Sequence, residues 1–125
     1  MNQPCRVQVT HNFERNLADI RLFLEKQEAL QVYSALLEQL FETVIPNLER
    51  FPMMGVDFLW RHPQSAEGLA RLEDLRRRLG EEVSLREYIT GDYLVLYAVR
   101  GRDAYLLSIK HHRQLSFDLK GHWVR

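Results

Sequence analysis

Two apolar runs, residues 93–99 and 104–109, dominate the hydrophobic pattern of the chain. Both are rich in Tyr, Val, Leu and Ile, a composition typical of strands that are buried on both faces. In the polar segment between them, Gly101 can take the positive φ of a tight turn and Asp103 can hydrogen-bond its own backbone. The pattern predicts an antiparallel hairpin at the centre of a sheet. Its second strand ends in a polar, mostly cationic tip at residues 110–114, where a small domain can display a working surface.

The N-terminal half predicts a strand followed by two helices. Residues 6–10 alternate polar and apolar side chains, so Val7 and Val9 should face inward. Thr10 or Asn12 can cap a first helix, whose inward positions recur every three or four residues: Phe13, Leu17, Ile20 and Leu24. After a short polar break, a second helical pattern runs over residues 29–48, and Pro46 should end or kink it near residues 44–45. So short a link makes the two helices an antiparallel hairpin that covers one face of the sheet.

Residues 49–64 have the Pro and Gly content of a loop but are unusually apolar. We expect their large side chains to fold back on the core, and an exposed aromatic patch for a partner is the alternative. The side chains concerned are Phe51, Met53, Phe58 and Trp60.

A third helix is predicted to begin at Ser65 and to end before Gly80. Its inward positions are Leu69, Leu72, Leu75 and Leu79. Three consecutive arginines, residues 76–78, lie in its last turn, where cations complement the helix dipole. A phosphate clamp is the alternative interpretation of these arginines.

Residues 83–89 alternate again, with Val83, Leu85, Glu87 and Ile89 on one side. Together with the hairpin they predict a three-stranded antiparallel meander. The fold class is therefore α+β: an N-terminal strand and an antiparallel helical hairpin packed on an antiparallel sheet of about four strands, with an extra helix in the middle. No linker or internal repeat divides the chain, so we expect a single domain over residues 1–125.

The composition is that of an ordinary soluble protein, with 46% hydrophobic and 27% charged residues. No apolar run approaches the roughly 20 residues that a membrane span needs, and the N-terminus lacks the apolar stretch of a signal peptide. With Cys5 as its one cysteine the chain cannot form an internal disulfide, which favours the cytoplasm. The formal net charge of zero argues against binding nucleic acid mainly through phosphates. The charge is uneven, however, since residues 93–125 hold six basic and two acidic side chains.

Four stretches of the chain, in this order, resemble the RelE/ParE superfamily of bacterial toxin–antitoxin toxins: VTHNFERNLADIRLFL, LERFPMMG, SLREYITGDYLVLYAV and LLSIKHHRQ. The third stretch has the early Arg and late Tyr of the family's paired strands, here Arg86 and Tyr97. The fourth resembles the last strand with its terminal His-x-Arg-Gln, here His111, Arg113 and Gln114. Residues 56–82 exceed the usual connection and contain the added helix.

The resemblance implies one of two toxic activities, or a non-toxic binding module that keeps the fold. A RelE-like ribosome-dependent endoribonuclease would cut mRNA with cations and proton carriers drawn from Arg86, Lys110, His111, His112 and Arg113. A ParE-like toxin would inhibit DNA gyrase without a hydrolytic site, binding its target through Lys110, His111, Arg113 and Gln114.

We favour the ParE-like interpretation over the nuclease, and on that interpretation we expect the protein not to be an enzyme. Strand alternation sends Lys110 and His112 to the face opposite His111 and Arg113, and Leu94 stands where similar nucleases have an Arg. Either toxin would arrest growth, act in plasmid stabilisation and be neutralised by a cognate antitoxin protein. The antitoxin would cover a ridge that contains Phe51, Met53, Met54 and Phe58. We expect no cofactor and no metal, because adjacent histidines on a strand point apart.

Overall fold

The computed structural model describes residues 4–61 and 64–111. Its elements in chain order are β1 (Arg6–Val9), α1 (His11–Lys26), α2 (Leu30–Gln39), a π-helical turn (Leu40–Val44), α3 (Ile45–Arg50), β2 (Val56–Asp57), α4 (Phe58–Arg61), α5 (Ala66–Leu79), β3 (Ser84–Thr90), β4 (Tyr93–Arg100) and β5 (Asp103–His111).

The strands form one mixed sheet in the order β1-β5-β4-β3-β2. The α+β class and the central antiparallel hairpin of β4 and β5 are confirmed. The sheet differs from the prediction in two details, since β1 runs parallel to β5 and the two-residue β2 adds a fifth strand beside β3. Alternation within a short strand shows which side chains face inward, but it does not encode the strand's direction relative to distant partners.

The turn between β4 and β5 is the predicted tight one, with Gly101 at φ 58°. Asp103 does not bond its own backbone there. Its carboxylate accepts hydrogen bonds from Arg6 Nε at 3.0 Å and Gln8 Nε2 at 3.3 Å, and so joins β1 to β5. A bulge between Leu96 and Tyr97 shifts the register of the hairpin.

The helical hairpin packs on one face of the sheet and encloses a core that we call the first core. Thr10 caps α1, as predicted, by accepting a hydrogen bond from the Phe13 N–H at 3.3 Å. Phe13 and Leu24 are buried, and Leu17 and Ile20 pack against the core. Val7 also packs there, but the inward prediction for Val9 was wrong, because this last residue of β1 is 42% exposed.

Pro46 distorts the second helix without ending it. The Ile45 N–H bonds the carbonyl of Leu40, five residues back, so the preceding turn is π-helical. Proline has no N–H to give to the carbonyl four residues earlier, and its ring crowds that turn. The helix then continues as α3 to Arg50.

The added helix, α5, covers the other face of the sheet and forms a second core. Ser65 caps it by accepting a hydrogen bond from the Gly68 N–H at 2.9 Å. Leu72 and Leu75 are buried against Val83 and Leu85 of the adjoining strand region. The inward prediction for Leu69 was wrong, since its side chain is 46% exposed. Ile89 lies on the same side of β3 as Leu85 and Glu87, as predicted, and is 54% exposed.

The apolar loop after α3 does not fold back as a whole. Phe51, Met53 and Trp60 are 61%, 52% and 79% exposed, so our expectation for these three was wrong. Phe58 does pack against the second core. The loop backbone is fastened by buried strand side chains, and this leaves its own large side chains pointing outward. The alternative, an exposed apolar patch, describes them correctly.

Candidate functional site

The cationic tip predicted for the last strand begins as expected. Lys110 is exposed and pairs with Leu94, whereas His111 pairs with Tyr93. Paired residues of an antiparallel ladder share a face, so Lys110 and His111 point to opposite faces of the sheet, as predicted. The other predicted residues of this tip, His112, Arg113 and Gln114, lie outside the described residues.

His111 is half-buried on the helical-hairpin face. Its ring meets Tyr93 edge-on, with the centroids 5.1 Å apart and the planes at 81°. Tyr93 is itself buried, and burial, with the Asp92 carboxylate adding to the effect, raises the pKa of its hydroxyl. An aromatic neighbour in this geometry fixes the orientation of the imidazole.

Helix α1 holds this end of β5 in place beyond the point where β1 stops. Asn12 Nδ2 donates a hydrogen bond to the Leu107 carbonyl at 2.8 Å, and Asn16 Oδ1 accepts one from the Ile109 N–H at 3.0 Å. Backbone groups that would otherwise form an open sheet edge are therefore satisfied by side chains. The strand end that carries Lys110 and His111 is consequently held against α1 by hydrogen bonds.

A groove of about 340 Å³ opens between this strand end and the helical hairpin. Its walls are mostly apolar, and charged side chains stand at its rim. The lining residues are Asn16, Asp19, Ile20, Phe23, Leu24, Val32, Asp92, Tyr93, Ile109, Lys110 and His111. The sequence analysis missed this groove. It placed Val32 on the apolar face of the second helix, where the side chain is in fact 42% exposed, and it gave no role to Phe23. A groove of this size accommodates a few side chains of a partner or a small ligand.

Arg86 lies in β3, away from the strand tip of β5. Its guanidinium donates hydrogen bonds to the Gly55 carbonyl at 2.9 Å and to Ser84 Oγ at 3.0 Å. It pairs with Tyr97 across β3 and β4, whereas His111 pairs with Tyr93. Tyr93 and Tyr97 are four residues apart, which separates the two sites by about 13 Å along the strand. The structure therefore does not bring Arg86 together with Lys110 and His111.

Arg86 and Tyr97 instead fasten the loop after α3. The Tyr97 hydroxyl donates to the Pro52 carbonyl at 2.8 Å and accepts from the Gly55 N–H at 2.9 Å. Burial raises the pKa of this hydroxyl, and the hydrogen bond from Gly55 and the Arg86 charge oppose part of the rise. The sequence showed these residues as family features, but it did not show that they contact one another.

Gly55 is required at its position by close packing. A Cβ added there would lie 2.5 Å from the Glu87 carbonyl oxygen and 2.6 Å from the Tyr97 hydroxyl. We call the group of Pro52, Gly55, Arg86 and Tyr97 the loop clasp. It holds Phe51, Met53 and Met54 on the surface, and these three are 61%, 52% and 48% exposed.

Two further properties limit the chemistry of the described part of the chain. It contains no group of three or more His, Cys, Asp or Glu side chains arranged to hold a metal ion. None of the helices it contains combines the length and the apolar character needed to cross a membrane.

Comparison with known families gives a match over most of the chain. A family model described as the ParE toxin of the type II toxin–antitoxin system parDE matches residues 7–116. The match begins in β1 and extends beyond the end of β5, so it includes the loop clasp, the groove and the strand tip. A comparison with curated proteins found no match.

Proposed function

Since the chain belongs to the ParE family of toxins of type II toxin–antitoxin systems, we propose that it inhibits DNA gyrase and that a cognate antitoxin neutralises it. On this proposal the toxin acts by binding and needs no hydrolytic site of its own. Growth arrest and plasmid stabilisation are the expected consequences, and the single domain acts in the cytoplasm, where gyrase works.

The position of Arg86 is the observation that favours gyrase over mRNA as the target. A nuclease needs cations and proton carriers that converge on one phosphate. The Arg86 guanidinium donates hydrogen bonds to the Gly55 carbonyl and to Ser84 Oγ. It lies about 13 Å along the sheet from the paired residues Tyr93 and His111. Lys110 and His111 point to opposite faces of β5, which further separates the nuclease candidates.

The strand tip is the proposed gyrase-binding surface. Lys110 is exposed, and α1 fixes the backbone of β5 beside it. A cationic strand end held in this way suits recognition of an acidic protein surface, because little conformational entropy is lost on binding. Arg113 and Gln114 belong to the same proposed surface by their place in the sequence.

The exposed ridge supports the proposal of an antitoxin partner. Phe51, Met53 and Met54 are each about half exposed or more, and Phe58 is partly covered. Several large apolar side chains held together on a surface are typical of a protein–protein interface. The loop clasp orders this ridge before any partner arrives, so binding costs less entropy.

The test is induction of the chain alone in bacteria, combined with a supercoiling assay on purified gyrase. We expect growth arrest, inhibited supercoiling and intact mRNA, with growth restored by the antitoxin. The double variant Lys110→Ala/Arg113→Ala should need about tenfold more protein for the same inhibition. The double variant Arg21→Ala/Lys26→Ala removes the same charge from exposed positions of α1, and this matched Lys26 control should behave like the unaltered chain.

Three results would contradict the proposal. Codon-positioned mRNA cuts with unaffected supercoiling would identify a RelE-like nuclease. No arrest and no gyrase inhibition would identify a non-toxic binding module. Equal inhibition by the double variant and the Lys26 control would exclude the strand tip as the gyrase-binding surface.

A further inference from the structure

Five arginines lie at the end of the sheet away from the groove. Three are in the last turn of α5, and two belong to the β4–β5 turn region. We call them the arginine surface: Arg76, Arg77, Arg78, Arg100 and Arg102. The two elements meet at Gly80, because Arg100 Nε lies 3.4 Å from the position that a Cβ on this glycine would occupy.

Two arginines of this surface, Arg100 and Arg76, have donor atoms without a hydrogen-bond acceptor in the described part of the chain. The Arg100 side chain makes no hydrogen bond or ion pair within residues 4–61 and 64–111. The buried Nε of Arg76 has no hydrogen-bond acceptor in the same part of the chain. Its ionic neighbour is Glu81, whose Oε2 lies 3.9 Å away on a side chain that is 89% exposed. The exposed Arg100 guanidinium therefore has donors available for an incoming anion, whereas the buried Nε of Arg76 is not itself accessible to one.

Arg77 and Arg78 share a single carboxylate. Asp74 lies 4.0 Å from Arg77 Nη2 and 3.1 Å from Arg78 Nε, and the two arginine side chains are 77% and 75% exposed. Exposed ion pairs of this kind contribute only about 0–1 kcal/mol. An anion of higher charge density can therefore displace Asp74 at little cost.

The helix dipole explains only part of this arrangement. Cations in the last turn of a helix are stabilised by its negative end, which accounts for residues 76–78. It does not account for Arg100 and Arg102, which belong to the sheet. Arginines contributed by a helix and by a strand turn suit one ligand that spans both layers. All five cations are Arg, whose planar group binds phosphate through two parallel hydrogen bonds.

We propose that the arginine surface binds the phosphodiester backbone of duplex DNA without reading its sequence. DNA carries one charge per about 1.7 Å of helix axis, a density that can compete with the Asp74 and Glu81 carboxylates. Those carboxylates and the formal net charge of zero make the binding weak. It depends on salt because each arginine–phosphate contact releases counterions from the DNA. This proposal goes beyond gyrase inhibition and does not depend on it, because naked DNA is the ligand.

The test is fluorescence anisotropy of a labelled 20-base-pair duplex with the purified full chain, titrated at salt concentrations from about 50 mM upward. Arg100→Ala/Arg102→Ala should weaken binding about tenfold and lower the slope of log affinity against log salt by about two. Arg15→Ala/Arg21→Ala removes the same charge from exposed positions of α1 and should leave both quantities unchanged. Arg100→Lys/Arg102→Lys should retain the salt slope, which separates loss of charge from loss of folding.

The proposal fails if the unaltered chain does not bind the duplex at low salt. It also fails if the two alanine double variants weaken binding equally, because the effect would then be one of net charge alone. Competition by polyglutamate as effective as that by DNA of equal charge would assign the surface to an acidic protein instead.

Discussion

The two faces of the sheet are covered in different ways. In the described part of the chain the first core, under the helical hairpin, has thirteen buried residues, and the second core, under α5, has six. The largest fully buried side chains all belong to the first core: Tyr97, Phe13, Leu40, Leu48, Leu106, Ile109, Val44 and Val95. The stability of the fold therefore rests mainly on the hairpin face, and α5 is an addition to it.

The second face is also the more polar of the two. Glu87 is 4% exposed on this side, and Arg61 Nη1 lies 3.5 Å from its carboxylate. Bringing such a pair out of water offsets much of the attraction between its charges. We therefore expect changes in this added segment to leave the sheet folded, and changes on the hairpin face to destabilise it more.

Matched leucine truncations test this comparison most directly. Leu48→Ala removes a side chain that is 0% exposed in the first core, and Leu75→Ala removes one that is 8% exposed in the second. We expect losses of about 4 and about 2.5 kcal/mol in the free energy of unfolding, because the deeper site leaves the larger cavity. Urea denaturation of both variants measures this, and a larger loss for Leu75→Ala would reverse the ranking of the cores.

The loop clasp should be nearly as sensitive as the first core. Gly55→Ala forces a methyl group against the Glu87 carbonyl and the Tyr97 hydroxyl, and we expect a loss of about 3 kcal/mol. Gly101→Ala is the control, since its Cβ would meet nothing within 4 Å and only its φ of 58° is unfavourable. It should lose about 1 kcal/mol. Equal losses in thermal unfolding would mean that the clasp is not tightly packed.

Phenylalanine variants of two buried tyrosines, Tyr97 and Tyr93, distinguish the contribution of the clasp hydrogen bonds to stability from that of burial alone. Tyr97→Phe leaves the Gly55 N–H and the Pro52 carbonyl without their partner, and should lose about 2 kcal/mol. The Tyr93 hydroxyl makes no hydrogen bond within the described residues, so Tyr93→Phe should change the stability by less than about 0.5 kcal/mol. Chemical denaturation at neutral pH distinguishes them, and similar values would show that the clasp bonds contribute nothing.

Removing the caps of α1 and α5 should cause smaller losses of stability, and it again compares the two sides of the sheet. Thr10→Ala removes the α1 cap and also the bond from its hydroxyl to the Leu106 carbonyl at 2.7 Å, so we expect a loss of about 1.5 kcal/mol. Ser65→Ala removes only the α5 cap and should lose about 1 kcal/mol. Amide hydrogen exchange should show that the Ser65 change loosens α5 alone. Loosening of the whole sheet would contradict a separable α5 layer.

Alkaline pH should lower the stability of the fold through ionisable side chains of the first core. Burial raises the pKa of Cys5, Tyr93 and Tyr97 above the ordinary values of 9.0 for Cys and 10.0 for Tyr. Their neutral forms stabilise the fold fully below those values, and this contribution is lost as the pH rises through the raised values. Unfolding measured from pH 8 to 11 should therefore show declining stability, with a shallower decline in Tyr97→Phe. An identical decline in that variant would show that Tyr97 is not involved.

Part of the site was predictable from the sequence and part was not. Strand alternation placed Lys110 and His111 on opposite faces, because that property depends only on local geometry. The role of Arg86 was not predictable, since it depends on Gly55, which lies 31 residues away in the chain. The groove was missed for the same reason: Val32 and Tyr93 come together only when helix and sheet pack.

The spacing of apolar residues by itself determined α1, the β4–β5 hairpin and the α+β class, because each rests on interactions between near neighbours in the chain. The sequence left Thr10 and Asn12 as candidate caps of α1, and the structure selects Thr10. Only the tertiary structure decided that β1 runs parallel to β5, that Phe51 and Trp60 remain exposed, and that Arg86 and Tyr97 hold a loop. Those outcomes depend on which distant groups compete for the same space and the same hydrogen bonds. A pattern of hydrophobic and polar positions does not show which distant groups will make these contacts.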